Sequence, residues 1–353
     1  MPDAVHSLAD AYLDLLDDVP DALRARKSLE DELAALLTGG THVCIRGFWR
    51  IGKTTLLKGV LQRAAERTGG AGFFVDLRDP ERDDGVPQTA DAVRARLVVK
   101  VKEFLTRVGA TDVVVSAQRP LDALGELAAP IFVGIDEAIV LQTLGAEPAA
   151  ALLGEFLSVP KNVRVALACH RHRDADALVE SVVLPVTASV DVPGVSDDEL
   201  VQLVQTPAQV AGVTFENEAL GALAEASGNR PWELLTLCHL VASRLPASFK
   251  GNVGPDKIDE VLSLDVLAES DPGRAVVDTY LRILATAMSA EERTVMDLLS
   301  AGKEGEATED ALARLLASGW ISQSDDGGFQ VNGVVMDGIA RALAEGTIKV
   351  SLG

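Results

Sequence analysis

Positive charge is scarce in this sequence. Its 32 Lys and Arg stand against 53 Asp and Glu, a net charge of −21. Proteins that bind nucleic acid by neutralising phosphates normally carry a basic field, so a DNA- or RNA-binding role would need a local basic patch here. Cysteine is also sparse. Cys44, Cys169 and Cys238 are odd in number and each sits in an apolar run. That pattern argues against a disulfide framework and reads as buried thiols of a reducing compartment. The run Cys169-His170-Arg171-His172 has no matching Cys or His pair at ligand spacing elsewhere, so no metal is expected there. No apolar stretch approaches the ~20 residues needed to span a bilayer. The acidic N-terminal stretch lacks the charged–apolar–small pattern of a secretory leader. A cytoplasmic location and no membrane partner are therefore expected.

What is present is apolar residue in quantity, 48% of 353 positions, enough for two or three domains with a sizeable core. The stretch His42 to Ala64 (HVCIRGFWRIGKTTLLKGVLQRA) organises the rest. It reads as a short strand, a loop and an amphipathic helix. Gly47, Gly52, Lys53 and Thr54 meet the spacing G-x-x-x-x-G-K-[ST] of a phosphate-binding loop. Glycines let the backbone curl until several N–H groups converge on phosphate oxygens at the positive end of the following helix. The loop backbone at Gly47, Arg50, Ile51 and Gly52 would cradle the phosphates. Lys53 would reach the β- and γ-phosphates, the Thr54 hydroxyl would join a Mg²⁺ shell, and Thr55 would lie near the α-phosphate. ATP or ADP with Mg²⁺ is the expected ligand.

The chain before this stretch reads as two helices over residues 1–40, with Leu8, Tyr12, Leu15 and Leu16, then Leu29, Leu33, Leu36 and Leu37, at helical spacing. After it, residues 41–193 read as an α/β core of five parallel strands. Strands are expected at 71–79, 131–137, 162–169 and 186–192, and helices at 90–108, 120–128 and 148–157. The run IFVGIDE ends in Asp136 and Glu137 at the C-terminal tip of a buried strand, where ligands bind in open α/β sheets. Asp136 would hold Mg²⁺ through water, and Glu137 would polarise the attacking water. The next strand tip presents Cys169, His170 and Arg171. A polar residue there can report the γ-phosphate, with Arg171 preferred and His170 second.

From Ser196 the pattern becomes helical, opening with a capping box of Ser196 and Glu199. Residues 194–250 read as a helical lid and 251–289 as a helical connector. Residues 290–353 follow the order helix, helix, hairpin, helix of a winged-helix-like domain. In that last segment five Lys and Arg stand against eleven Asp and Glu. The helix that would enter a groove opens Thr308-Glu309-Asp310 and carries one cation, Arg314. Groove-reading helices need donors for base edges and cations for phosphates, so nucleic acid is a disfavoured partner and protein docking is preferred.

These residues together resemble a known family. Arg46–Leu57 (RGFWRIGKTTLL), the Asp-Glu tip at 136–137, the strand ending at 168–171 and the Gly-x-x-Pro turn at 228–231 occur in order, as do Asp191–Leu200 and Ala211–Leu220. The chain resembles the STAND-type P-loop ATPases, in the archaeal-type ATPase branch of the AAA+/STAND group, over about residues 22–345. The resemblance implies a parallel core, a helical lid, a terminal winged helix and slow ATP hydrolysis. It also implies a closed ADP-like state and an open, self-associating ATP state. Its lid proline, near adenine, carries over to Pro231, and its strand-tip sensor to His170 or Arg171. The Gly-Arg pair of relatives stands here as Ala25-Arg26. No second catalytic constellation is present, so sensor and effector are expected on separate chains. The alternatives are a DNA-engaged AAA+ ATPase of the initiator or transposition-regulator type, and a nucleotide-bound scaffold without turnover.

Overall fold

A computed structural model describes residues 7–17, 26–77, 89–138, 141, 144, 146–170, 187–286, 288–323 and 327–345. In chain order its first elements are α1 (Leu8–Asp17), α2 (Lys27–Thr38), β1 (His42–Gly47), α3 (Lys53–Thr68), β2 (Ala71–Asp76), α4 (Ala90–Arg107), β3 (Ile131–Asp136), α5 (Ala146–Leu157), β4 (Val163–His170) and β5 (Thr187–Asp191). The described residues fall into two units, one within 26–192 and the other within 1–25 and 193–353.

The 26–192 unit is a doubly wound α/β layer with a five-stranded parallel sheet in the order β2-β3-β4-β1-β5. Its strands read as nearly continuous apolar runs because both faces are covered. Side chains still alternate between faces. Val43, Ile45, Phe132, Ala166 and Ala168 pack against Leu33 and Leu37 of α2 and Leu56, Leu57 and Val60 of α3. Ile131, Val133, Ile135, Val165 and Leu167 face the other way, onto Val93, Leu97 and Val101 of α4 and Leu152 and Phe156 of α5. The segment expected as a helix over 120–128 is a tighter 3₁₀ turn, Pro120–Glu126. In a parallel sheet the C-terminal strand ends share one edge, so Gly47, Asp76, Asp136 and His170 are brought to the same side.

The other unit continues with α6 (Asp197–Leu200), a π-helical turn (Val201–Gln205), α7 (Thr206–Val210), β6 (Val213–Phe215), α8 (Asn217–Ser227), α9 (Pro231–Arg244), β7 (Gly251–Val253), α10 (Pro255–Asp259), α11 (Leu264–Ala268) and α12 (Asp271–Thr286). The Ser196–Glu199 capping box forms in both directions. Helix α1 belongs here: Tyr12 Oη donates to the Val204 carbonyl at 2.6 Å, and the Ala9 carbonyl lies 2.9 Å from His239 Nδ1. The helical reading of 196–246 is interrupted by β6, which pairs with β7 in parallel. Three residues are too few to carry a strand signal. What holds β6 is distant: Val213 and Phe215 are buried, and Phe215 N–H donates to Gln205 Oε1 at 3.1 Å.

The last elements are α13 (Ala290–Ser300), a 3₁₀ turn (Glu304–Glu306), α14 (Glu309–Ala317), β8 (Ile321–Gln323), β9 (Phe329–Val331) and α15 (Val334–Ala344), with β8 and β9 antiparallel. The order is helix, helix, hairpin, helix. Arg314 on α14 is taken up by Glu291 at 2.6 Å, Glu292 at 3.2 Å and Asp310 at 3.5 Å.

Candidate functional site

The phosphate-loop residues lie where β1 runs into α3. Gly47 ends β1, Arg50 and Ile51 lie in the loop, Gly52 caps α3, and Lys53, Thr54 and Thr55 form its first turn. The loop turns on two left-handed residues, Arg50 at φ 57° and Gly52 at φ 90°. Gly47 is required by close approach, since a Cβ there would lie 2.8 Å from Ile51 Cγ2 and 3.2 Å from Val192 Cβ. The Ile51 side chain is buried at 4% exposure and packs into the α2–α3 face of the core. The loop is thus folded over its own hydrophobic anchor, leaving the N-terminal amides of α3 at the sheet edge.

Lys53 is 7% exposed, and its Nζ donates to the carbonyls of Phe48 at 2.8 Å and Gly47 at 3.1 Å. Burial pushes its ammonium down to about 8, against the opposing pull of the Glu137 and Asp136 carboxylates. Thr54 Oγ1 donates to Asp136 Oδ2 at 2.5 Å, across 82 positions of sequence. Asp136 is 2% exposed, and its Oδ1 accepts the Glu137 N–H at 2.8 Å. Burial raises its pKa, the Thr54 bond opposes that, and the Glu137 and Asp76 carboxylates add to the rise. Asp76 is the register partner of Asp136 on the neighbouring strand β2, a carboxylate that sequence reading did not single out.

Glu137 is half-buried and holds a left-handed backbone at φ 53°, uncommon for a residue with a Cβ. The strand therefore breaks at this residue. His170 ends β4 with Gly47 as its register partner on β1. Arg171 lies outside the described residues. Pro231 is the first residue of α9, in the other unit.

The sequence reading also passed over a contact made by Arg26. Its Nη1 donates to the Ile51 carbonyl at 2.6 Å, inside the loop. Ala25-Arg26 had drawn notice only as a departure from the family's Gly-Arg pair.

Nucleotide and Mg²⁺ can be tested against these residues. A hydroxyl and a carboxylate oxygen 2.5 Å apart, at a helix N-terminus, form a hard-oxygen pair of the kind Mg²⁺ accepts together with phosphates and water. The buried ammonium of Lys53, held by loop carbonyls, lies where an anion would give it a stronger partner. The residues fit.

No protein-family model matches the sequence, and no curated protein matches it. Among solved structures, the chain is similar to the Walker-type ATPase PABY2304 of Pyrococcus abyssi, at 16% identity and a TM-score of 0.62, covering 93% of this chain and 99% of that one. The Orc1 protein of Aeropyrum pernix in complex with DNA aligns at 14% identity over 93% of this chain and 96% of that chain, with a TM-score of 0.49. The RuvB Holliday junction branch migration motor of Thermotoga maritima aligns at 13% identity over 93% of this chain and 96% of that chain, with a TM-score of 0.45. The first likeness defines the fold: this chain has a P-loop ATPase fold, with the α/β core followed by a largely helical segment. No helix among the described residues is long and apolar enough to cross a membrane.

Proposed function

We propose that this chain is an ATP-binding, slowly hydrolysing molecular switch of the STAND kind, which couples its nucleotide state to self-association or to engagement of a protein partner. The observation that carries this reading is the meeting of Thr54 and Asp136 beside the buried Lys53 at the sheet edge. Phosphoryl transfer needs positioning and charge neutralisation more than covalent chemistry, and these groups provide for both.

On this reading each group has its own part. The loop from Gly47 to Thr55 binds phosphate oxygens through its amides, and Lys53 Nζ exchanges loop carbonyls for the β- and γ-phosphates. Thr54 Oγ1 and Asp136 would hold Mg²⁺, which when bound neutralises charge on those phosphates. Glu137 orients the attacking water through its carboxylate. His170 or Arg171 reports the γ-phosphate, and Pro231 is assigned to the adenine side by the family resemblance alone. A regulatory output also rests on that resemblance. The DNA-engaged alternative is the poorer reading, because Arg314, the cation of α14, is tied into three carboxylates.

The test is the mass in solution of the wild type and of Glu137→Gln, each with ATP–Mg²⁺, with ADP and with no nucleotide. The proposal expects ATP-dependent assembly that persists in Glu137→Gln, whose hydrolysis is blocked. A monomer in every state would remove the self-association reading. Unchanged turnover in Glu137→Gln would remove Glu137 as the activating group.

A further inference from the structure

The Arg26–Ile51 contact sits at an informative place. Ile51 lies between the two left-handed residues of the loop, Arg50 and Gly52. Its side chain is fixed in the core and its carbonyl is fixed by the Arg26 guanidinium. A trans peptide directs its C=O and its N–H to opposite sides. The peptide joining Ile51 to Gly52 therefore turns the Gly52 N–H away from Arg26, at the point where the loop enters α3. Without Arg26, a peptide that runs into the left-handed Gly52 has neighbouring orientations open to it, and the amide is no longer aimed.

Arg26 is presented by a braced helix. It precedes α2, and its own carbonyl accepts the Glu30 N–H at 2.9 Å. Helix α2 is clamped to α3 by Glu30 with Arg63 at 2.7 Å, and by Asp31 with Arg63 at 3.1 Å and Arg67 at 2.6 Å. The Glu30 carboxylate reaches this position because α3 has Gly59 there: a Cβ would lie 2.3 Å from Glu30 Oε1. The clamp and the guanidinium thus act on the same helix and its preceding loop.

We propose that Arg26 is a positioning residue of the phosphate loop: by binding the Ile51 carbonyl it holds the Gly52 N–H in the orientation that receives a phosphate oxygen. The inference rests on the nucleotide-binding reading above. It assigns Arg26 to the polyphosphate part of the ligand and gives it no role at the base.

The test uses the full chain as wild type, Arg26→Met and Arg26→Lys, titrated with ATP, ADP and inorganic tripolyphosphate, each with Mg²⁺. Loss of a charge-assisted hydrogen bond that preorganises the site is expected to weaken Arg26→Met by about tenfold or more. The loss should be the same factor for all three ligands. Arg26→Lys, with a single shorter donor, should lie between. Equal affinity in wild type and Arg26→Met for all three would overturn the proposal, as would a loss confined to the adenine-bearing ligands. Should Arg26→Met fail to fold, Arg26→Lys decides by the same criterion: a shared loss supports the role and unchanged affinity overturns it. Failure of the wild type to bind any of the three would instead sink the nucleotide-binding reading itself.

Discussion

Lys53 makes nucleotide affinity dependent on pH in a direction the structure specifies. In the free protein burial lowers its ammonium to about 8. Phosphates placed against it favour the charged form and raise that pKa on binding. Below pH 8 the ammonium is charged in both states and affinity is flat. Above pH 8 the free protein loses the proton that the complex retains, so binding must take one up. With a bound pKa well above 9, apparent affinity should fall about tenfold between pH 7 and pH 9, or about 1.4 kcal/mol. Uptake should approach about one proton per nucleotide at pH 9. Phosphate's own second ionisation, near ~6, is largely complete before this window opens. Calorimetry with ADP–Mg²⁺ in buffers of different ionisation enthalpy measures both quantities. A flat affinity from pH 7 to 9.5 with no proton uptake would refute the reasoning, showing that Lys53 stays charged in the free loop or does not face the phosphates. If Lys53→Arg binds, its profile should be flat, because guanidinium does not titrate there.

Other outcomes can be stated briefly. Lys53→Ala should abolish nucleotide binding; unchanged affinity by fluorescent-nucleotide titration would remove the loop from the site. Thr54→Val should leave nucleotide binding without Mg²⁺ nearly unchanged while reducing the gain that Mg²⁺ brings, read as the ratio of the two dissociation constants. In the other unit, the Arg230 and Glu233 side chains are each 2% exposed and are joined at 2.8 Å, with Arg230 also donating to the Asn332 carbonyl at 3.0 Å. Arg230→Met leaves a buried carboxylate without its cation and should cost about 3–5 kcal/mol, seen as a lower melting temperature. Arg230→Met with Glu233→Leu should recover much of that loss, and equal stability of the single and double variants would show that the charge pair is not the cause.

The structure reorders parts of the sequence reading in ways that have physical reasons. The two N-terminal helices read together over 1–40 go to different units, α1 with α9 and α2 with α3. Their periodicity states that each has an apolar face but does not state which partner covers it. The short strand β6 escaped notice because its pairing with β7 is non-local. Arg26 escaped because a lone arginine before a helix has no local pattern, and its meaning comes from a carbonyl 25 positions away.

What the sequence by itself determined is whatever local rules encode. The glycine spacing of the phosphate loop, the apolar strand ending in Asp136 and Glu137, the Ser196–Glu199 cap and the apolar faces of the helices each lie within a few residues of chain. What only the tertiary structure decided is the set of contacts that depend on strand order and register. The β2-β3-β4-β1-β5 order carries Asp136 to Thr54 and sets Asp76 beside Asp136. Enclosure of Lys53 under the loop lowers its pKa, and docking of α2 on α3 brings Arg26 to the Ile51 carbonyl. Burial and proximity are properties of the packed chain, so no reading of residue order alone could supply them.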